Sequence, residues 1–191
     1  MWDEMLSHTR PTILMSRDML EPMRDEVDGL IEAWRSERPD VDVTPLEVFS
    51  RVSRLSRHLD RARRTVFTEH ALEPWEFDVL AELRRSGPPY ELSPGRLLRA
   101  TLVTSGTMTN RVDRLTAAEL VRRRPDPGDK RGVLVRLTER GAERIDAALA
   151  SLVSYEETLL APMPARDRKQ LASLLRSLLA PLDSGPESPK G

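Results

Sequence analysis

A chain of 191 residues with 32% charged and 4% aromatic side chains is long enough for one domain with extensions and a substantial buried core. Its formal net charge of −1 gives no overall attraction to nucleic acid, so any such affinity must come from local charge. The absence of cysteine excludes a disulfide framework, a cysteine-based zinc site and a thiol-oxidation switch.

Enzymatic, metal-binding and membrane functions find little support in the sequence. It contains no G-x-S-x-G, P-loop or G-x-G-x-x-G motif. Two of its three histidines, His58 and His70, fall about 120° apart around one predicted helix. No apolar run approaches the roughly 20 residues of a membrane span, and the first residues lack a secretory signal. We therefore expect a cytosolic protein that is not an enzyme, binds no metal or cofactor and has no membrane partner.

Two helices are predicted before residue 74. No pattern assigns the methionine-rich residues 1–15, whereas residues 16–34 repeat apolar side chains at helical spacing, so residues 1–44 are interpreted as an arm and an extra helix. Pro39 and Pro45 mark a linker over residues 38–44, and a long helix is predicted over residues 45–70, within the segment 45–73. This helix has one apolar stripe and an opposite face rich in arginine.

Residues 74–137 are predicted to form a central domain that begins with two short helices. Proline is favoured at the first helical position, so Pro74 and Pro94 mark the two starts. Ser93 is the expected N-cap of the second helix, predicted over residues 92–100.

A third helix is predicted from Thr104, because small hydroxyl side chains accept hydrogen bonds from the free N–H groups of a helix start. Its apolar stripe consists of Met108, Val112 and Leu115. The opposite face has side chains that can donate to phosphates and base edges, namely Ser105, Thr107, Thr109, Asn110, Arg111 and Arg114. A helix of this size fits the major groove of B-DNA.

A cationic β-hairpin follows this helix. Strands are predicted over residues 120–124 and 132–137, on either side of the turn sequence Pro-Asp-Pro-Gly-Asp. Its basic residues are Arg122, Arg123, Arg124, Lys130, Arg131 and Arg136. A polar-faced helix followed by such a hairpin predicts a mainly α winged helix-turn-helix fold with a small β-wing, and the agreement of helix, hairpin and local charge indicates DNA binding.

Residues 138–182 are predicted to contain two further helices, over 138–160 and 165–179, and residues 183–191 a disordered tail rich in proline, serine and glycine. The terminal helices are more apolar than a compact winged helix requires. A symmetric homodimer would bury these stripes, since a two-fold interface pairs the same patch of both subunits.

The wing motif D-P-G-D-K-R-G, followed by V-x-L-T-x-x-G at residues 135–141, resembles the MarR family of bacterial transcriptional regulators. The resemblance runs from about residue 46 to residue 179 and implies an operator-binding homodimer whose N- and C-terminal helices form the interface. It implies that Ser105, Thr107, Thr109 and Asn110 face bases or nearby phosphates. Arg114 would then contact the DNA backbone, and Arg131 at the wing tip would reach the minor groove. Lys130, also in the wing, is a further predicted DNA-binding residue.

A second resemblance concerns an effector. One MarR branch, which responds to urate and related purines, has a tryptophan on an extra N-terminal helix, an aspartate in an E-F-D-V-L helix and two further arginines. The matching residues here are Trp34, Asp78, Arg111 and Arg123. The resemblance implies that Trp34 and Arg111 hold the ligand, and that Asp78 and Arg123 form an ion pair that the ligand breaks. From the residues alone, Trp34 could equally be a core residue, Asp78 an exposed position and the arginines phosphate contacts.

Several alternatives stay open at the level of the sequence. An arginine-rich anionic pocket cannot distinguish a purine from a tricarboxylate such as citrate or trans-aconitate. A regulator of the same fold could respond to a metal or to a phenolic drug through a pocket unrelated to Trp34. The wing could also serve protein–protein contact without any DNA binding.

Overall fold

The computed structural model describes residues 24–101 and 103–183, apart from a few side chains that include those of Lys130 and Arg131. The predicted arm of residues 1–15, the first part of the predicted extra helix (residues 16–23) and residues 184–191 of the predicted tail lie outside these ranges. Within them the chain forms seven helices and three strands: α1 (Glu26–Glu37), α2 (Thr44–Glu69), α3 (Pro74–Arg85), β1 (Glu91–Leu92), α4 (Pro94–Thr101), α5 (Ser105–Ala117), β2 (Val121–Asp126), β3 (Asp129–Leu137), α6 (Glu139–Leu160) and α7 (Ala165–Asp183). No helix of the described ranges is long and apolar enough to cross a membrane.

The described residues form two units, which divide between Arg57 and His58. In the first unit, α1 begins at the N-cap Asp25, whose carboxylate accepts from the backbone N–H groups of Val27 and Asp28. Arg51 of α2 donates to the carboxylate of Asp25 at 2.8 Å and to that of Asp28 at 2.6 Å. The small core of this unit is formed by Val27, Ile31 and Val43, with Leu46 packed against them.

The second unit is built around a three-stranded antiparallel sheet in the order β1-β3-β2. The hairpin places Val121 opposite Leu137 and Arg123 opposite Val135, and β1 places Leu92 opposite Val135. Buried side chains of α3, α4, α5 and α6 pack with the inward residues of these strands into one core. That core contains fully buried residues from each of these helices, including Leu80, Leu97, Leu115 and Ile145.

The motif V-x-L-T-x-x-G joins the wing to α6. Thr138 is the N-cap of α6: its hydroxyl accepts from the N–H of Gly141 at 2.9 Å and lies 2.8 Å from the carbonyl oxygen of Glu119, to which it donates. A Cβ on Gly141 would lie 2.1 Å from the carbonyl oxygen of Leu120. Glycine is therefore required there, because the first turn of α6 approaches the chain directly after α5.

The predicted fold class is confirmed, and apart from one missed strand the differences described here lie at the element ends. The hairpin strands are longer than predicted because the turn is tighter, with Asp126 paired to Asp129. The strand β1 was missed, since two residues are too few to show a period-2 pattern. The second short helix begins at Pro94 instead of residue 92, because Leu92 is a buried strand residue and Ser93 accepts from the N–H of Arg96.

Candidate nucleic-acid interface and effector site

The first turns of α5 present small polar side chains to solvent. Thr104 is the N-cap, and its hydroxyl accepts from the backbone N–H of Thr107 at 3.4 Å. The inward face of the helix is at most 1% exposed at Met108, Val112 and Leu115. The exposed side chains are Ser105, Thr107, Thr109 and Asn110. The four residues predicted to face DNA therefore share the solvent side of α5, next to a helix N-terminus that favours negative charge.

The wing turn has a specific backbone requirement. The carboxylate of Asp126 accepts from the N–H of Gly128 at 2.8 Å. A Cβ on Gly132 would lie 2.9 Å from the Cβ of Asp126 and 3.0 Å from that of Asp129, which explains the second glycine of the motif. The backbone of Lys130 and Arg131 belongs to β3, but their side chains are outside the described part of the structure, so their predicted DNA contacts stay predictions.

Arginines at the base of the wing are bound by carboxylates of neighbouring elements. Glu91 of β1, whose side chain is 16% exposed, lies 3.4 Å from Arg124 and 4.0 Å from Arg136. Arg123 of β2 pairs with Asp113 of α5 at 2.6 Å. The wing is thus held both to β1 and to the helix that faces solvent.

This arrangement corrects one expectation. The pair Asp78–Arg123 is absent from the described residues: Arg123 binds Asp113, and Asp78 has no ion-pair partner within 4.0 Å there. Sequence order could not show this, because the pairing follows from the hairpin bending back beside α5. Asp113 is a site residue that the sequence did not single out.

Asp78 lies on α3, where the charges of three arginines act on its carboxyl group. Partial burial raises the pKa of its carboxyl above the usual range, although the residue remains exposed at the surface. The positive charges of Arg111, Arg63 and Arg85 act in the opposite direction, and Arg111 has the strongest such effect. Of the four predicted ligand residues, Asp78 and Arg111 therefore interact through charge, without a direct hydrogen bond or ion pair among the described residues.

Trp34 belongs to the other unit, near the end of α1. Its side chain is 47% exposed, so the interpretation as a core residue is wrong for this chain. Its carbonyl oxygen accepts the N–H that ends the helix, from Arg38 at 2.8 Å. Its predicted role in holding a ligand stays a prediction.

Glu73 and Trp75 form a cluster with α5 that the sequence did not reveal. Arg114 donates to Glu73 at 2.7 Å, and its guanidinium carbon lies 4.7 Å from the centre of the Trp75 ring. The guanidinium carbon of Arg111 lies 5.4 Å from the same ring. The sequence marked a helix start at Pro74 but did not single out Glu73. The partner of Glu73 is 41 residues away in sequence, so the contact depends on the tertiary fold.

A groove of about 790 Å³ lies between the second half of α2 and α6. Its polar wall is formed by Thr65, Glu69, Ser151, Ser154, Tyr155 and Thr158. His70 and Ser151 are hydrogen-bonded at 2.8 Å beside it. Across the described residues, no group of three or more His, Cys, Asp or Glu side chains could hold a metal ion.

Known proteins similar to this chain are transcriptional regulators. The model of the MarR family matches residues 72–132. The chain is 40% identical over 150 residues to the HTH-type transcriptional regulator PecS of Dickeya dadantii, which covers 78% of this chain and 90% of that protein. It is 35% identical over 143 residues to the HTH-type transcriptional repressor NicR of Pseudomonas putida, covering 73% and 89%.

A solved structure has the same fold. A MarR family protein from Bacillus stearothermophilus superposes with a TM-score of 0.67 at 22% sequence identity, covering 75% of this chain and 98% of that one. At this identity the superposition supports the architecture alone.

Proposed function

The chain belongs to the MarR family of transcriptional regulators, and on that premise we propose that it is a homodimeric repressor that binds a pseudo-palindromic operator and releases it when a small anionic molecule binds. The observation that supports DNA binding most strongly is the exposed polar face of α5 beside an arginine-rich hairpin. In this proposal the hydroxyl and amide groups of α5 contact base edges and phosphates, and the wing contacts the adjacent backbone.

Homodimer formation is supported by the apolar side chains that each unit leaves exposed. In the first unit they include Leu30, Val48, Phe49, Val52 and Leu55, each at least 40% exposed. In the second unit they include Leu171, Leu174, Leu175, Leu178 and Leu179 on α7, each at least 37% exposed. Faces of this kind mark protein–protein interfaces, and a two-fold axis would bury them in pairs.

The effector is proposed to be urate or another purine, with a tricarboxylate as the alternative. Arg111 supports this proposal, because a guanidinium matches the paired oxygens of a planar anion. Asp78 beside it, with a raised pKa, indicates a partly desolvated position where charge is costly. Trp34 would add an aromatic surface and an indole N–H donor from α1.

A mobility-shift titration on the intergenic DNA upstream of the gene tests this function. We expect a saturable complex with the dimer and its release by urate or xanthine, or by citrate or trans-aconitate. Flat salt dependence of binding would contradict the DNA-binding proposal, because phosphate contacts release counterions. Release by none of these compounds would contradict the effector proposal alone.

Trp34→Phe separates the proposed effector site from other sites. It retains the ring and removes the N–H, so ligand affinity is expected to fall by about 1–3 kcal/mol if that donor is paired in the bound state. Operator affinity without ligand, measured in the same titration, is the internal control. A ligand response equal to that of the parent would exclude Trp34 from the site.

The groove between α2 and α6 supports a second candidate, a phenolic or drug-like effector at a site away from Trp34. Its polar hydroxyl wall suits a small aromatic ligand with hydrogen-bonding groups. Ser154→Leu would narrow the groove. Loss of response in this variant, with a normal response in Trp34→Phe, would favour this candidate.

A further inference from the structure

Glu73 binds two side chains with its two carboxylate oxygens. It is the N-cap residue of α3, with extended backbone, and its Oε2 accepts from the indole N–H of Trp75. Its Oε1 accepts from Nη2 of Arg114 on α5, at 2.7 Å. These hydrogen bonds lower the pKa of Glu73, the bond from Trp75 more than that from Arg114, so the carboxylate is charged at neutral pH. A negative charge is thus held directly against the helix proposed to face DNA.

Trp75 holds the same arginine from a second side. The Arg114 guanidinium carbon lies 4.7 Å from the ring centre, within the range of a cation–π contact. Arg114 is therefore retained near α3 by an ion pair and by an aromatic face. In this state its guanidinium is occupied by protein groups instead of by an external anion.

The contacts of Arg114 are also exchangeable. The side chains of Arg114 and Glu73 are 51% and 54% exposed, so water and salt reach both partners. Exposed ion pairs of this kind contribute little net stability. A DNA phosphate could therefore replace Glu73 at modest cost.

We propose that Glu73 is an intramolecular competitor of DNA phosphate, which Arg114 leaves when it binds the DNA backbone, so that Glu73 lowers and thereby sets the affinity for DNA. This inference rests on the proposed function, because it presupposes that α5 binds DNA. While Arg114 exchanges Glu73 for a DNA phosphate, the cation–π contact with Trp75 keeps its guanidinium close to both partners. The competitor acts on phosphate contact and so affects all DNA sequences alike.

Glu73→Gln tests the proposal because it removes the charge and keeps the shape and an acceptor for Trp75. We expect its affinity for operator and for unrelated duplex DNA to rise by about twofold to fivefold, the range set by an exposed ion pair. The gain should shrink as salt is raised, because salt also screens the parent's internal pair.

Glu82→Gln is the matched control. It makes the same change of charge within α3, the helix that Glu73 precedes, and Glu82 pairs there with Arg85 at 2.7 Å. We expect its DNA affinity to stay close to that of the parent, which separates the loss of one acidic charge from the loss of the competitor. Equal gains for Glu73→Gln and Glu82→Gln would overturn the proposal.

A double-mutant cycle identifies Arg114 as the group that is competed for. In the Arg114→Ala background, Glu73→Gln should give no gain. The competitor proposal would be overturned if Glu73→Gln left DNA affinity unchanged or lowered it, or if Glu73→Gln raised DNA affinity fully in the Arg114→Ala background. Neither result would contradict DNA binding itself. Absence of any duplex binding by the parent would overturn the proposed function, and with it this inference.

Discussion

The two halves of α5 differ in what their polar side chains do. In the N-terminal half, Ser105, Thr107 and Asn110 lie exposed, and the hydrogen bonds of Thr107 are to its own helix start. In the C-terminal half the charged residues contact other elements. Asp113 binds Arg123 of the wing, and Arg114 binds Glu73 of α3.

This difference separates two tasks within one helix. The N-terminal half has groups that can form new hydrogen bonds with a partner, and an N-terminus that attracts phosphate. The C-terminal half sets the position of α5 relative to the wing and to α3. Changes in the first half should alter recognition of DNA, and changes in the second half should alter stability or the general affinity for DNA.

Asn110→Ala tests the recognition half and has the largest expected effect. If Asn110 contacts a base edge, specific operator affinity should fall by about 1–3 kcal/mol, the range for a good side-chain contact to a base. Its stability should change by no more than about 0.5 kcal/mol, because the residue is exposed. Operator titration, with unrelated DNA and thermal unfolding as controls, measures both. An equal loss on unrelated DNA would place Asn110 on the backbone instead.

Asp113→Asn tests the positioning half and has a smaller expected effect. Its side chain and that of Arg123 are 54% and 41% exposed, so the pair should contribute about 0.2–1 kcal/mol to stability. A denaturant-unfolding cycle of Asp113→Asn, Arg123→Gln and the double variant measures the coupling. A coupling energy of zero would show that this pair does not hold the wing to α5.

Asp78→Asn has the smallest expected effect on the fold and tests a residue that belongs to neither half. Burial raises the pKa of this carboxyl above 3.8, so the folded state binds its proton more tightly than the unfolded state. In the parent, the free energy of unfolding therefore increases as the pH falls through the pKa of Asp78 in the folded state. At neutral pH the ionised carboxylate destabilises the folded state.

At pH 7 the variant should accordingly be as stable as the parent or slightly more stable, within about 0.5 kcal/mol. As the pH is lowered from 7 to about 4, the parent should gain stability relative to the variant, because the variant has no carboxyl group to protonate at this position. Unfolding midpoints across this pH range provide the measurement. A clear loss of stability at pH 7 would show that ionised Asp78 has a favourable partner.

The features that could be predicted from the sequence are those that depend on local periodicity and turn chemistry. The apolar stripe of α5, its start at Thr104 and the hairpin all follow from spacing and turn chemistry, and the structure confirms them. The two-residue strand β1 was too short to give such a signal.

Side-chain pairing could not be predicted in the same way. Glu73 and Arg114 are separated by 41 residues, and the partner of Arg123 was expected to be Asp78 but is Asp113. Both outcomes depend on how α3, α5 and the hairpin pack together. Exposed arginine side chains can reach several carboxylates, and their spacing in sequence does not select among them.

Footprinting of the protein on its operator tests the central proposal most directly, namely that a dimer binds DNA through α5 and the wing. The proposal predicts protection of a pseudo-palindrome whose half-site centres lie about 10 bp apart, one helical turn of DNA. It also predicts that Asn110→Ala weakens both half-sites equally. Protection of a single unsymmetrical half-site by a monomer would contradict it.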